Sequence, residues 1–459
     1  MANLSSSSTT ASPSCLFVTL GCAKNEVDTD RMRALLLASG FRETGEIDDA
    51  DAIIINTCSF LASATSESIE TTLELAEEVT QGVRMRPIIM CGCVPSRYGD
   101  ELVDELPEVA AFVPADREDE IVSVVRSVIG AEDDAIDLGD GRVLRTVEGT
   151  SAYVKISDGC DRFCTFCAIP YIRGRYFSRP EAEILQEVRG LLEGGVLEIV
   201  LIGQDTGIWG HDLPGSPNLA GLLRAVAREV RPYGGWVRVL YLQPEGMTDE
   251  LIATMRDVDE VLPYIDIPIQ HCSARILAAM NRSGSPDELR ELFDRLRSEI
   301  PGMVLRTTGM AGFPGETDEE ADELAEFLAE QQFDYTSVFA YSPEEGTAAA
   351  DMDDQVDEDV KIERTQRLMD IAEQMGFAAT ASHVGERVSV IIDGIEEGDD
   401  GPELIGHAWF QAPDSDGAVH IEEGEATVGD IVVCDLVDSF CYELIGVIAG
   451  EEDAHECKE

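Results

Sequence analysis

Short apolar runs and amphipathic stretches alternate along this 459-residue chain. Residues 16–20, 52–56 and 87–90 are short, mostly apolar runs, each followed by a segment that carries a cysteine. Between them, stretches of helical period cover residues 25–38 and 63–79. Apolar strands alternating with helices predict a doubly wound parallel sheet over residues 15–130. Residues 131–150 read as an acidic linker carrying one short strand. The alternation then resumes, with candidate strands at 152–156, 198–203, 237–242, 264–269, 304–310 and 335–340. Six βα units over residues 151–380 predict a partial parallel barrel. Two of its helices open on capping boxes, at residues 285–288 and 317–320. After a helical stretch at 358–378 the period becomes two. Strands at 387–392, 406–410, 418–421, 430–437 and 442–448 predict a small antiparallel β-barrel over residues 381–450. Residues 1–14 read as a disordered Ser/Thr-rich tail and 451–459 as an acidic tail. The expected fold is therefore α/β in its first two domains, with an all-β module at the end.

Composition changes this picture in two ways. The chain holds 91 Asp+Glu against 33 Lys+Arg, a formal net charge of −58. Its only lysines are Lys24, Lys155, Lys361 and Lys458. Self-repulsion of this size strains a compact state unless salt screens it, which points to a halophilic cytosol. The twelve cysteines could suggest disulfides. The chain has neither a secretory apolar core nor an apolar run of membrane-spanning length. The cysteines therefore belong to a reducing cytoplasm, where clustered thiols mean metal or catalysis.

Three of them form the densest chemistry in the chain. Cys160, Cys164 and Cys167 lie at spacing C-x3-C-x2-C, straight after the strand at 152–156 and the turn Ser157-Asp158-Gly159. Three cysteines within eight positions is a ligand spacing rather than a core pattern. Soft thiolates select iron–sulfur clusters or zinc, and structural zinc wants a fourth ligand that is not near in sequence. In the first domain, each predicted strand delivers a cysteine to the carboxyl edge of the sheet: Cys22, Cys58, and Cys91 or Cys93. Open α/β sheets place their ligands at that edge. Period-two alternation puts Cys91 and Cys93 on one face, so spacing cannot choose between them. In the central domain the strands end on polar segments: Gly203-Gln204-Asp205-Thr206, Gln243-Pro244-Glu245, Gln270-His271-Cys272-Ser273, residues 312–317 and residues 341–347. His271 alone is weak evidence for a site, and Cys272, Cys434 and Cys441 read as packed thiols.

The Cys160 loop resembles the signature of the radical S-adenosylmethionine (SAM) enzymes. The residues Ala168-Ile169-Pro170-Tyr171-Ile172-Arg173-Gly174-Arg175 and Ser178-Arg179-Pro180 resemble its methylthiotransferase branch. Thr19-Leu20-Gly21-Cys22-Ala23-Lys24-Asn25, Asn56-Thr57-Cys58 and Gly92-Cys93 are similar to that family's three auxiliary-cluster motifs, which points to Cys93 over Cys91. The resemblance implies two 4Fe–4S clusters, one on Cys160, Cys164 and Cys167 and one on Cys22, Cys58 and Cys93. It implies SAM contacts at Gly203, Gln204, Asp205, Gln243 and Gln270. In that family the first cluster passes an electron into one SAM to make a 5′-deoxyadenosyl radical. The second holds the sulfur to be inserted, and a second SAM supplies the methyl group. An electron donor of flavodoxin or ferredoxin type is implied as a partner.

By position the last barrel resembles a TRAM domain, usually an RNA-binding module. From His383 to Gly450 there are sixteen acidic residues and one base, Arg387. Phosphate binding needs Lys and Arg, so this surface should repel RNA and suit a basic protein. The segment Gly406-His407-Ala408-Trp409-Phe410-Gln411-Ala412-Pro413-Asp414 resembles the protein-modifying branch, whose substrate is the β-carbon of an aspartate in small-subunit ribosomal protein twelve. The alternatives are a tRNA-adenosine methylthiotransferase and, in another class, a non-catalytic iron–sulfur scaffold or redox sensor. Since every ligand candidate precedes His383, the last barrel reads as a separable docking module.

Overall fold

A computed structural model describes residues 12–82, 84–131, 145–398 and 401–450. Residues 1–11 and 451–459 of the two expected tails, and residues 132–144 of the linker with any strand they carry, lie outside the described residues. The chain divides into two compact units: residues 1–146 with Tyr171–Arg173, and Val147–Pro170 with everything from Gly174 onward.

The first unit is a five-stranded parallel sheet. Its strands are β1 (Ser14–Thr19), β2 (Arg42–Glu43), β3 (Ala52–Thr57), β4 (Ile88–Gly92) and β5 (Val109–Pro114), in the order β2-β1-β3-β4-β5. β3 is buried along its whole length, as a central strand covered on both faces must be. Ile54 and Ile89 pack with Met32, Leu36 and Val125 on one face. Ile53, Ile55 and Met90 pack with Val79 and Val94 on the other. Three helices follow strand ends: α1 (Ala23–Ala38) after β1, α2 (Ala62–Gln81) after β3, and α3 (Cys93–Tyr98) directly after β4. The last junction corrects the expected alternation. β4 ends at Gly92, whose φ is 90°, and Cys93 is already the first residue of α3. Cys91 alone obeys the strand's period, and it lies fully buried in the apolar layer with Leu36 and Val125.

The second unit holds a six-stranded, wholly parallel sheet. It opens with β6 (Ser151–Lys155), after which β7 (Ser157–Asp158) and β8 (Phe177–Ser178) form a separate antiparallel pair. The sheet continues with β9 (Glu198–Ile202), β10 (Trp236–Val239), β11 (Val261–Gln270), β12 (Val304–Ala311) and β13 (Tyr335–Ala340). The spatial order is β13-β12-β11-β10-β9-β6, the chain order, and the sheet is open, as a partial barrel requires. Of the two expected capping boxes, the one at Thr317 and Glu320 is complete. At Ser285 only half forms: its hydroxyl accepts from the Glu288 N–H at 3.3 Å and itself donates to the Glu288 carboxylate.

The chain ends in a closed five-stranded barrel of β14 (Arg387–Gly398), β15 (Gly401–Ala408), β16 (Val419–Glu423), β17 (Ile431–Phe440) and β18 (Glu443–Ile448). Its pairs are antiparallel except β16 with β18. Cys434 is buried as expected. Cys441 is not: it sits exposed in the β17–β18 turn at φ 54°, where a two-residue reversal leaves its side chain outside.

This barrel is not separable in its packing. Residues 407–416 lie against the amino-terminal half of the six-stranded sheet through a buried polar network. Arg238 Nε donates to Glu198 at 2.6 Å, and its Nη2 donates to the carbonyls of Trp409 and Gln411 at 3.0 and 2.8 Å. His407 bridges Glu198 and Asp393 at 2.7 and 2.6 Å, and Asp393 also accepts from the Thr150 hydroxyl. Asp416 accepts from Tyr264 at 2.5 Å and pairs with Arg306. Charges buried this deeply are tolerated only when paired.

Candidate functional site

The amino-terminal unit gathers three thiols at the carboxyl edge of its sheet. Cys22 is the residue before α1, Cys58 follows β3, and Cys93 opens α3. They stand near enough to act electrostatically on one another. The backbone explains the convergence. Gly21, at φ 108°, has no room for a side chain: a Cβ there would lie 2.7 Å from the Cys58 Cβ. Two buried amides tie the strand ends together. Asn25 donates to the Thr57 carbonyl at 2.9 Å, and Asn56 donates to the Asn25 carbonyl at 2.9 Å and the Thr29 hydroxyl at 3.0 Å. Thr57 donates to the Cys91 carbonyl at 2.6 Å and accepts from the Val94 N–H at 3.3 Å, fixing the turn that carries Cys93.

Burial pushes the Cys58 thiol up to about 11. Burial also raises Cys93, against the pull of the Arg173 guanidinium, whose Nη2 donates to its Sγ at 3.6 Å. Without a metal these buried thiols are neutral at pH 7, and only a bound cation would ionise them. Arg173 pairs in turn with Asp28 on α1 at 2.7 Å. The motif quoted around Arg173 gave no sign of this role, because a spacing pattern does not name a partner 145 residues away.

The second thiol set lies in the other unit, in the loop after β7. Asn281 donates to the carbonyls of Arg162 and Phe163 at 2.9 and 3.1 Å, which holds Phe163 at φ 47°. Thr165 accepts from the Ala349 N–H through its carbonyl and donates to the Met280 and Ala279 carbonyls. Cys167 N–H donates to the Cys164 carbonyl at 3.0 Å, so the last two cysteines share one turn. Burial raises Cys160 and pushes Cys167 up to about 12. Arg162 reaches from the loop to Asp205 at 2.5 Å and Glu245 at 3.2 Å. The loop is thereby bonded to the carboxyl ends of β9 and β10.

Those strand ends hold the other expected residues. Gly203, Gln204 and Asp205 follow β9, Gln243 follows β10, and Gln270 ends β11. Buried polar atoms here lack partners: Ser157 Oγ, Gln204 Oε1 and Asp205 Oδ1. A Cβ on Gly203 would lie 2.4 Å from the Ser157 hydroxyl, so that hydroxyl stands against the segment that follows β9. Buried polar groups are normally satisfied, and a group of orphans at strand ends marks a place for a ligand. Tyr241 and Gln270 are non-glycine residues at φ 62° and 67°, strain of the kind that collects at functional sites. His271 lies fully buried beside them. Its Nδ1 accepts from the N–H groups of Cys272 and Ser273, burial lowers it to about 4, and its Nε2 has no partner. Cys272 is a core thiol, as expected. Ser157 carried no sequence signal beyond its place in a turn.

Among the described residues, no three Cys, His, Asp or Glu side chains are grouped tightly enough to hold a single metal ion. The donors of each set are thiols, and soft thiolates suit an iron–sulfur centre.

Residues 154–328 match the family model of the radical SAM superfamily, and residues 384–449 that of the TRAM domain. Residues 14–114 match a family described only as uncharacterized protein family UPF0004. In fold the protein is similar to the radical SAM methyltransferase TsrM from Kitasatospora setae with cobalamin and a 4Fe–4S cluster bound. The TM-score is 0.54 at 13% identity, over 82% of this chain and 76% of that one. Fold and matched models thus define a protein with a radical SAM domain at its centre. The ribosomal protein uS12 methylthiotransferase RimO of Geobacter sulfurreducens is 42% identical over 94% of this chain and 97% of the relative. The protein of the same name from Synechococcus is 38% identical over 98% of this chain and 93% of the relative. The chain belongs to the RimO family of methylthiotransferases.

Proposed function

We propose that the enzyme methylthiolates the β-carbon of an aspartate in small-subunit ribosomal protein uS12, using two 4Fe–4S clusters and two molecules of SAM. The observation that carries this reading is whole-length identity of 38–42% to relatives bearing that name. In it, Cys160, Cys164 and Cys167 hold the SAM cluster, and Cys22, Cys58 and Cys93 hold the auxiliary one. When bound, the first centre supplies the electron that cleaves SAM to a 5′-deoxyadenosyl radical, chemistry that side-chain acids and bases cannot do at an unactivated carbon. The chain's own part is to bind and orient. Gly203, Gln204, Asp205, Gln243 and Gln270 line the SAM site, with the orphan oxygens of Ser157, Gln204 and Asp205 facing its polar groups. Arg162 locks the cluster loop to that cradle through Asp205.

The reading includes a reductant of flavodoxin or ferredoxin type and a reducing cytoplasm. Among the described residues no helix is long and apolar enough to cross a membrane. It also includes a salt-rich setting. Lys24 and Lys361 are buried and Lys155 nearly so, which leaves a described surface of arginine and carboxylate. A protein equally stable in low and molar salt would remove that part.

The second reading, a tRNA-adenosine methylthiotransferase, shares the site. The charge of the last barrel, sixteen acids to one base, weighs against it. The test is methylthio incorporation by the reconstituted enzyme with tRNA and uS12 offered side by side. Label is expected on an aspartate of uS12; label on adenosine alone overturns the substrate assignment.

A further inference from the structure

Arg173 follows Cys167 by six residues in the chain, yet it packs with the amino-terminal unit. Its side chain is 2% exposed, and its partner Asp28 is 1% exposed at 2.7 Å. Its second terminal nitrogen donates to Sγ of Cys93 at 3.6 Å, within the 4 Å reach of a sulfur acceptor. A buried guanidinium–carboxylate pair is weak evidence for stability, since desolvation offsets much of the attraction. Its placement on a thiol of the converging triad gives it another use. Hydrogen bonds to cluster sulfurs and local net charge are the protein's main means of setting a cluster's reduction potential. A charge-assisted donor on sulfur favours the more negative state, and a nearby carboxylate opposes it.

We propose that Arg173 is a positioning residue of the Cys22–Cys58–Cys93 centre: its N–H donor to the Cys93 sulfur raises the reduction potential of the cluster held there. Asp28 fixes the guanidinium in place and offsets part of its charge. This rests on the reading of those three thiols as a cluster site. The consequence has a sign for each residue. Removing the arginine's charge disfavours the reduced cluster, and removing the carboxylate's charge favours it.

The test is an EPR-monitored redox titration of the reconstituted full-length protein carrying Cys160→Ala, Cys164→Ala and Cys167→Ala, where only the amino-terminal centre can form. It is compared with the same protein further carrying Arg173→Gln, Arg173→Lys or Asp28→Asn. Arg173→Gln is expected to lower the potential and Asp28→Asn to raise it. Arg173→Lys should fall between Arg173→Gln and the parent, because an ammonium keeps the charge but loses the fork that serves Asp28 and Cys93 together. Iron per chain should match the parent. Equal potentials throughout, or shifts of one sign for Arg173→Gln and Asp28→Asn, overturn the proposal. If Arg173→Gln does not fold, the Asp28→Asn shift decides: a rise supports it, and no change or a fall overturns it. A parent variant that takes up no cluster overturns the reading of the thiols, and the proposal with it.

Discussion

The amino-terminal half of the six-stranded sheet and its carboxyl end both bury polar groups, and they differ in what those groups meet. In the amino-terminal half, Glu198, Arg238 and Tyr264 are fully buried and Arg306 largely so. Each finds partners on residues 407–416 of the last barrel, although Arg238 Nη1 and Gln411 Nε2 are left without one. The guanidinium of Arg238 also lies over the Tyr264 ring at 4.4 Å. At the carboxyl end, Ser157, Gln204, Asp205 and His271 each leave a buried atom unpartnered, and two strand-end residues hold strained backbone. A buried charge paired with another part of the chain serves the fold, because most of its attraction is spent within the chain. An unsatisfied one costs the fold free energy of about 1–3 kcal/mol, and a group of them at strand ends is a place for something that binds.

The comparison can be broken most severely at the thiols. Cys164→Ala is expected to abolish 5′-deoxyadenosine formation from SAM and dithionite while thermal denaturation stays close to that of the parent. Wild-type yield from the reconstituted variant would end the assignment of that loop. In the amino-terminal unit, Cys93→Ala should lose methylthiolation but keep SAM cleavage. Cys91→Ala should keep both, since its thiol sits in the apolar layer away from the triad.

The next effect is on stability at the opposite end. Arg238→Ala strands Glu198 without its guanidinium partner and is expected to cost roughly 3–5 kcal/mol, the range for a broken buried pair. Removing residues 384–459 should do worse, exposing Glu198, Arg238, Tyr264 and Arg306 together. A truncated protein that melts cooperatively at the parent temperature and still cleaves SAM would show that the last barrel is a separable module after all.

A smaller effect is a pH dependence from the same network. Burial disfavours charge on His407, yet Glu198 and Asp393 outweigh it and push the imidazole up to about 9. A raised value means that the folded state binds the proton more tightly. The stabilisation is full below the unfolded value of about 6.5 and is lost as pH rises through 9, roughly 3 kcal/mol in all. Urea midpoints measured from pH 6 to pH 10 should fall across that window, and His407→Gln should flatten the curve. A flat curve for the parent protein would contradict the charged imidazole.

The smallest effect sharpens the contrast at the carboxyl end. Ser157→Ala removes an orphan hydroxyl, so the melting temperature should hold or rise slightly. The KM for SAM should rise several-fold, the worth of about 1 kcal/mol of hydrogen bonding. Lost stability with unchanged KM would mean that the hydroxyl serves the fold.

The alternation of strands and helices, the sheet types, the closed barrel at the end and the candidate thiols were legible in the sequence, because each follows from local period and spacing; β2 and β5, the two edge strands of the first sheet, were not among the expected strands. Period-two reasoning failed at Cys93, since whether a strand continues depends on where the chain turns. Gly92 takes φ 90° and a helix begins, so the residue two after Cys91 leaves its face. Cys441 failed for the same reason at a hairpin turn. What only the tertiary structure decided is pairing at long range: Arg173 with Asp28 and Cys93, His407 with Glu198, Asp416 with Arg306 and Tyr264. A buried charge is defined by what surrounds it after the chain has folded. The sequence shows only that the charge is there, and a charge is just as common on a solvated surface.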